Sequence, residues 1–106
     1  MSIINITEIG QIPTEGKVVL FVAFDTAPCR KFLNYSRQAI GILEKNPTGA
    51  SYLQISNTAE VKEKFRISAM PTCIVFVDGE EKKRFSGHWY SQFEIAGKIG
   101  EGFSKK

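Results

Sequence analysis

An unbroken apolar run at positions 18–24 constrains the fold more than any other feature of the sequence. Seven apolar residues rich in Val and Phe are typical of a strand that is buried on both faces, in the middle of a sheet covered by helices. The run stops at Asp25 and Thr26, whose short side chains can accept backbone protons of a first helical turn, and Pro28 suits a place inside that turn. The pattern predicts a helix that leaves the carboxyl end of a central strand with Cys29 in its first turn, where α/β folds place their chemistry.

Length and composition exclude several classes of protein. The 106 residues suffice for a core, and we expect one domain over residues 1–106. No basic segment followed by a long apolar run opens the sequence, so we expect no signal peptide, no membrane association and a cytoplasmic location. Two cysteines and one histidine predict neither a disulfide framework nor a metal site, and no cofactor is expected. The net charge of +3 comes from basic clusters interrupted by glutamates, which indicates a solvated surface and no nucleic-acid binding.

Turn and capping residues divide the rest of the chain into strands and helices. The two-residue turn at Asp78 and Gly79 obliges the last two strands to be antiparallel, whereas a helix between two strands permits a parallel pair. The predicted elements are strand 3–6, a turn or two of helix at 8–11, strand 18–24, helix 28–45, strand 51–55, helix 57–65, strands 72–77 and 82–86, and a helix from 91. The order predicts a mixed sheet flanked by helices.

Capping patterns support the last two helices. Asn57 has Glu60 three places later, and Ser91 has Glu94 at the same spacing, so that each pair resembles a capping box. The spacing of apolar residues predicts a buried stripe on the last helix. Its members are Phe93, Ile95, Ile99 and Phe103.

These elements and their turn residues resemble the thioredoxin family over nearly the whole chain. Asp-Thr-Ala-Pro-Cys at 25–29 stands where the family has Trp-Cys-Gly-Pro-Cys, and Met-Pro-Thr at 70–72 stands where it has Ile-Pro-Thr with a cis proline. Phe-Val-Asp-Gly-Glu at 76–80 is similar to the family's hairpin, and Gly87 matches the glycine after the last strand. The resemblance implies the thioredoxin fold, an α/β fold with a mixed sheet of about five strands and helices on both faces.

The motif is degenerate where the family has its reactive groups. Thr26 stands at the position of the attacking cysteine, and its hydroxyl has no thiolate-like state with which to open a disulfide. Cys29 stands at the position of the resolving cysteine. Leu20 replaces a buried aspartate of many thioredoxins, Tyr52 falls about where its lysine partner lies, and Asp25 replaces the tryptophan over the active loop.

Individual residues allow more than one interpretation. Cys29 is either a small half-buried residue or a single thiol that reacts with glutathione, oxidants or a partner's cysteine. Burial is the expected state of Cys73. His88 is interpreted as a surface residue more readily than as a base, since the sequence places no nucleophile beside it. Trp89 and Tyr90 either cover the core or contribute to an exposed apolar binding surface.

Two functional hypotheses follow. The favoured one is a binding or regulatory module, not an enzyme, that keeps a docking surface for a peptide or protein and has lost dithiol exchange. The alternative is a monothiol redox protein, a thiol–disulfide oxidoreductase in which Cys29 forms mixed disulfides with glutathione or protein thiols. Exposure of the Cys29 sulfur distinguishes them, and Trp89 is expected to contribute most to noncovalent binding. The expected docking residues are Asp25, Ala27, Pro28, Met70, Pro71, Gly87, His88 and Trp89.

Overall fold

A computed structural model describes residues 3–55, 58–86 and 91–104, and its elements follow the predicted order. The strands are β1 (Ile4–Ile6), β2 (Lys17–Val22), β3 (Ser51–Ile55), β4 (Thr72–Val77) and β5 (Glu80–Ser86). The helices are α1 (Ala27–Leu43), α2 (Thr58–Phe65) and α3 (Gln92–Ser104), and a single 3₁₀ turn covers Ile9–Gln11. The predicted cap of α2 at Asn57 lies outside the described residues. Within those residues, no helix combines the length and the apolar character that crossing a bilayer requires.

The five strands form one mixed sheet in the order β1-β3-β2-β4-β5. β1 and β2 both run parallel to β3, whereas β2 and β5 both run antiparallel to β4. The mixed sheet predicted from the helical crossovers and the tight turn is therefore confirmed. β2 lies in the middle, and its last residue, Val22, pairs with Thr72, the first residue of β4.

β2 is buried on both faces of the sheet, as predicted from its apolar run. Val19 and Phe21 face the core under α1 and α3, whereas Leu20 and Val22 face a second core under α2 and the 3₁₀ turn. All four side chains are completely buried. On the α1 face, Phe32 lies edge-on to Phe21 with 6.3 Å between ring centroids. The helices thus cover both faces of the sheet.

The apolar run continues beyond the strand that it predicts. β2 ends at Val22, Ala23 is still buried, and Phe24 is 42% exposed in the loop that follows. The prediction of a strand through Phe24 is therefore wrong at its carboxyl end. An apolar run does not show which of its residues pair with the neighbouring strand. The strand ends at its last paired residue, and here Val22 pairs with Thr72.

The β4–β5 turn has the predicted geometry and also anchors the loop before β2. Asp78 and Gly79 both have positive φ, 52° and 80°, as the mirror-image turns of two-residue hairpins require. The Asp78 carboxylate accepts a hydrogen bond from the Gly16 backbone N–H at 2.9 Å, and the Asp78 backbone N–H donates to the Gly16 carbonyl at 2.9 Å. This pair of bonds holds the hairpin against the amino-terminal end of the central strand.

Helix α3 has the predicted cap and a different buried stripe. The backbone N–H of Glu94 donates to the Ser91 hydroxyl at 3.3 Å, and the Ser91 N–H donates to the Glu94 carboxylate at 3.5 Å. Phe93 is 69% exposed, so the prediction that it is buried is wrong. It lies two residues before buried Ile95, about 200° around the helix, on the side away from the sheet. The buried residues are Ile95, Ala96, Ile99 and Gly102.

Two helical glycines have opposite surroundings. A Cβ atom at Gly102 would lie 2.8 Å from Cβ and Cγ1 of Val75, because α3 approaches β4 closely there. A Cβ atom at Gly41, on the exposed side of α1, would have no heavy atom within 4 Å. One glycine is needed for packing, and the other only lowers helix propensity.

We therefore expect Gly102→Ala to destabilise the protein by about 1–3 kcal/mol, since Val75 must move within a packed core. Gly41→Ala is its matched control and should stabilise the protein by up to about 1 kcal/mol. Urea unfolding followed by circular dichroism, with unchanged m-values, measures both effects. Equal effects of the two substitutions would contradict the close approach of α3 to β4.

Candidate functional site

Strand pairing brings the predicted site segments to one edge of the sheet. Val22 pairs with Thr72, which also pairs with Ser86 at the end of β5. The loop after β2, the segment before β4 and the end of β5 therefore meet at this edge, called the loop edge below. Met70 is half-buried against the cores on both faces, and the Met70–Pro71 peptide bond is cis.

The remaining residues of the predicted docking surface differ in exposure. Asp25, Ala27 and Pro28 are exposed at the loop edge, as is Thr26 at the predicted position of the attacking cysteine, whereas Pro71 is buried. Gly87, His88 and Trp89 lie outside the described residues, and their part in the surface stays a prediction.

Helix α1 begins within residues 25–29 without a side-chain cap. Thr26 occupies the N-cap position with extended backbone, and its carbonyl accepts the Arg30 N–H at 2.9 Å, but its hydroxyl caps nothing. The expectation that a polar side chain accepts helical amide protons here is wrong. An N-cap side chain binds the second or third helical N–H, and the second residue is Pro28, which has none. The Asp25 carboxylate instead accepts a hydrogen bond from the Arg30 guanidinium at 2.8 Å.

Both cysteines are buried free thiols on the α1 face. Cys29 is 3% exposed and packs in the core with Phe32. Cys73 is completely buried between Phe21 and Phe85 on the neighbouring strands, and this burial raises the pKa of its thiol well above the ordinary value. The prediction for Cys73 is confirmed. These are the only cysteines in the sequence, so no thiol lies on the surface at the loop edge.

A contact between a lysine and an aromatic ring at the loop edge is not evident from the sequence. The exposed ring of Phe24 lies beneath the ammonium group of Lys62, with 5.7 Å between Nζ and the ring centroid. Lys62 belongs to α2, so two elements on the α2 side of the sheet meet beside the motif. No local pattern links positions 24 and 62, and only the termination of β2 at Val22 brings Phe24 to the surface.

Tyr52 is part of a polar cluster that closes the far end of α1. Its hydroxyl donates to the Glu44 carboxylate at 2.9 Å, and the Thr48 hydroxyl donates to the same oxygen at 2.9 Å. Burial of the ring raises the pKa of Tyr52 to about 12, while the hydrogen bond from Tyr52 lowers the pKa of Glu44. Tyr52 pairs with Val19 and faces the α1 core, whereas Leu20 faces the other core. Tyr52 and Leu20 therefore do not form a pair, and neither brings a proton-transfer group to the motif.

The described part of the chain has no metal site, and its groove lies away from the loop edge. Over residues 3–55, 58–86 and 91–104, no three His, Cys, Asp or Glu side chains converge as metal ligands. A groove of about 280 Å³ opens at the end of β4 opposite the loop edge. Its lining shares no residue with the predicted site and consists of Ile9, Ile12, Pro13, Thr14, Lys64, Phe65, Phe76 and Gly79.

Comparison with solved structures finds thioredoxins. The chain is similar to Fasciola hepatica thioredoxin at 24% identity, with a TM-score of 0.63 and 84% of each chain covered. It is similar to oxidised thioredoxin from Plasmodium falciparum at 19% identity, with a TM-score of 0.75 over 94% of this chain and 97% of that one. A mutant thioredoxin from Entamoeba histolytica is 21% identical, with a TM-score of 0.71 over 93% of this chain and 98% of that one. No family model matches the sequence, and no curated protein does. The likeness shows that the chain has the thioredoxin fold.

The polar cluster around Tyr52 predicts a loss of stability at high pH. The folded state raises the Tyr52 pKa from an ordinary value near 10 to about 12, so the folded state holds the proton more tightly than the unfolded chain does. This stabilisation is complete below about pH 10 and disappears as pH rises through about 12. Tyr52→Phe should therefore lose less stability than the wild type between pH 9 and pH 11, in urea unfolding at each pH. Tyr35→Phe, at a half-buried tyrosine of α1, is the control, and an equal effect of both substitutions would contradict the assignment to Tyr52.

Proposed function

We propose that this thioredoxin-fold protein binds a peptide or protein segment at the loop edge and does not catalyse dithiol–disulfide exchange. The observation that carries the proposal is the burial of both cysteines of the chain, at 3% and 0% exposure, together with the exposure of Thr26 at the start of α1. The architecture of a thioredoxin motif is present at this edge, while the group that would react is a hydroxyl.

The chemistry of exchange supports this proposal. A thiolate must approach a disulfide sulfur and form a mixed disulfide, which a second thiol then resolves. An alcohol has no comparable anion near neutral pH, so Thr26 can neither attack a disulfide nor leave from one. Cys29 could resolve a mixed disulfide only if another thiol had formed it, and no other thiol lies at the surface of the protein.

The form of the surface supports binding. Ala27 and Pro28 are exposed small and apolar groups on the first turn of α1, and Met70 is half-buried at the same loop edge, two residues before β4. Apolar groups gathered beside a flexible thioether are common in surfaces that bind segments of other proteins. The buried β2–β4 pairing beneath them supplies a rigid base, so a partner would find these groups already in place.

The alternative, a monothiol redox protein that uses Cys29 with glutathione or protein thiols, requires access to the Cys29 sulfur. With 3% of the residue exposed, a disulfide reagent could reach that sulfur only after the first turn of α1 opens. Noncovalent binding requires no such opening. The reactivity of the native thiols therefore tests the two functions against each other.

We expect Ellman's reagent to modify both cysteines slowly in the native protein and rapidly in guanidinium chloride. The wild type should also fail to accelerate the reduction of insulin by dithiothreitol. Thr26→Cys is the positive control, because it creates a Cys-x-x-Cys spacing at a helix start, where thiols are acidified. It should add one rapidly modified thiol and an oxidisable pair with Cys29. Rapid modification of the wild-type Cys29, abolished in Cys29→Ser, would support the monothiol function.

The binding function has its own test, which uses peptides selected on the immobilised protein from a random peptide library. Their affinity for the protein is then measured by fluorescence anisotropy. Ala27→Arg should lower the affinity at least about tenfold, because a long cation replaces a methyl group at the centre of the proposed surface. Cys29→Ser should leave it unchanged. Thr14→Arg, an exposed substitution at the groove opposite the loop edge, is the matched control, and an equal effect there would contradict this location.

A further inference from the structure

We infer that Phe24 and Lys62 form an anchor for partner segments in which a carboxylate side chain stands next to an apolar one. The inference rests on the proposed binding function and adds the chemistry of the partner. It extends the proposed surface from the first turn of α1 across the loop edge towards α2.

Phe24 supplies the apolar half of the anchor. Large hydrophobic side chains are exposed at three positions among the described residues, Ile4, Phe24 and Phe93, and Phe24 is the one in the loop that leads into Thr26. It lies two residues before Thr26, in the exposed segment that also contains Ala27 and Pro28. Burial of an aromatic ring is a principal source of binding energy at protein interfaces, so a partner's apolar side chain would gain most here.

Lys62 supplies the charged half. Its ammonium group lies 5.7 Å from the centroid of the Phe24 ring, within the range of a cation–π contact. Within the described part of the chain, no carboxylate forms an ion pair with Lys62. The helix positions three and four residues away, 58, 59, 65 and 66, carry no acidic residue. The ring holds this cation at the surface, where a partner's carboxylate can reach it.

The acidic residue on the other side of Phe24 does not cancel this charge. The Asp25 carboxylate lies 2.8 Å from the Arg30 guanidinium, and the side chains are 93% and 59% exposed. Asp25 and Arg30 together are neutral, and the charge that lies directly over the Phe24 ring is the Lys62 cation. An exposed ion pair adds little affinity, but its sign discriminates between partners, because a like charge at the same place is repelled.

The test selects peptides from one random library on three proteins: the wild type, Lys62→Glu and Lys45→Glu. Lys45 is an exposed lysine beyond the far end of α1, so its substitution makes the same change in net charge away from the loop edge. Peptides selected on the wild type should be enriched in Asp or Glu adjacent to an apolar residue. Lys62→Glu should select Lys or Arg in that place, whereas Lys45→Glu should select as the wild type does.

Affinities of synthetic peptides then provide the quantitative result. Lys62→Glu should lower the affinity for an acidic peptide by about 5- to 25-fold, since one attraction is replaced by a repulsion. Added salt should then no longer weaken binding as it does in the wild type. Phe24→Ser should lower the affinity for the same peptide at least about tenfold and leave the circular dichroism spectrum unchanged. Lys45→Glu should change this affinity less than about twofold.

The failures of the two proposals give different results. Suppose that peptides are selected and that Ala27→Arg blocks their binding. If these peptides show no preference for acidic residues, or if Lys62→Glu and Lys45→Glu have the same effect on them, the anchor is overturned and the binding function is retained. Selection of no peptide that Ala27→Arg blocks would overturn both.

Discussion

The antiparallel pairing of β2 with β4 is the constraint on which the rest of the structure depends. It buries the two strands side by side between the two cores, and it ends where Val22 meets Thr72. That last pair decides which residues leave the sheet, and therefore where Phe24 becomes exposed and where the first turn of α1 starts. It also places Met70, two residues before β4, at the loop edge. A change in this register by one residue would exchange the two faces of β2 and bury the wrong side chains.

The fold could be predicted from the sequence because its signals are local. The Asp78-Gly79 turn needs positive φ at both residues, and Ser91 and Glu94 cap α3 through bonds three residues apart. The predictions for Phe24 and Phe93 are wrong for two other reasons. An apolar run does not show where a strand ends, so the pairing of Val22 with Thr72 decides the exposure of Phe24. The exposure of Phe93 follows from helix geometry, because Phe93 lies about 200° around the helix from buried Ile95.

The candidate site was predictable in position and less so in its contacts. The spacing of the motif after a buried strand places Thr26 and Cys29 at the start of a helix, and the structure has both there. The ion pair of Asp25 with Arg30 depends on how a long side chain folds back over the helix start. The contact of Lys62 with Phe24 depends on where α2 crosses the sheet. Neither contact is encoded in a short stretch of sequence, so neither could be predicted.

The helix start also explains why the fold tolerates a threonine at position 26. A side-chain cap is typically worth about 0.5–2 kcal/mol, which would restrict the N-cap residue to those with an accepting oxygen. Thr26 makes no such bond, and Pro28 removes one of the two amides that could receive it. The α1 start is instead held by the Thr26 carbonyl, by burial of Cys29 and by the packing of Phe32, none of which depends on the side chain at position 26. The stability of the helix start therefore hardly depends on the side chain at position 26. Function, and not stability, decides whether that side chain carries a thiol or a hydroxyl.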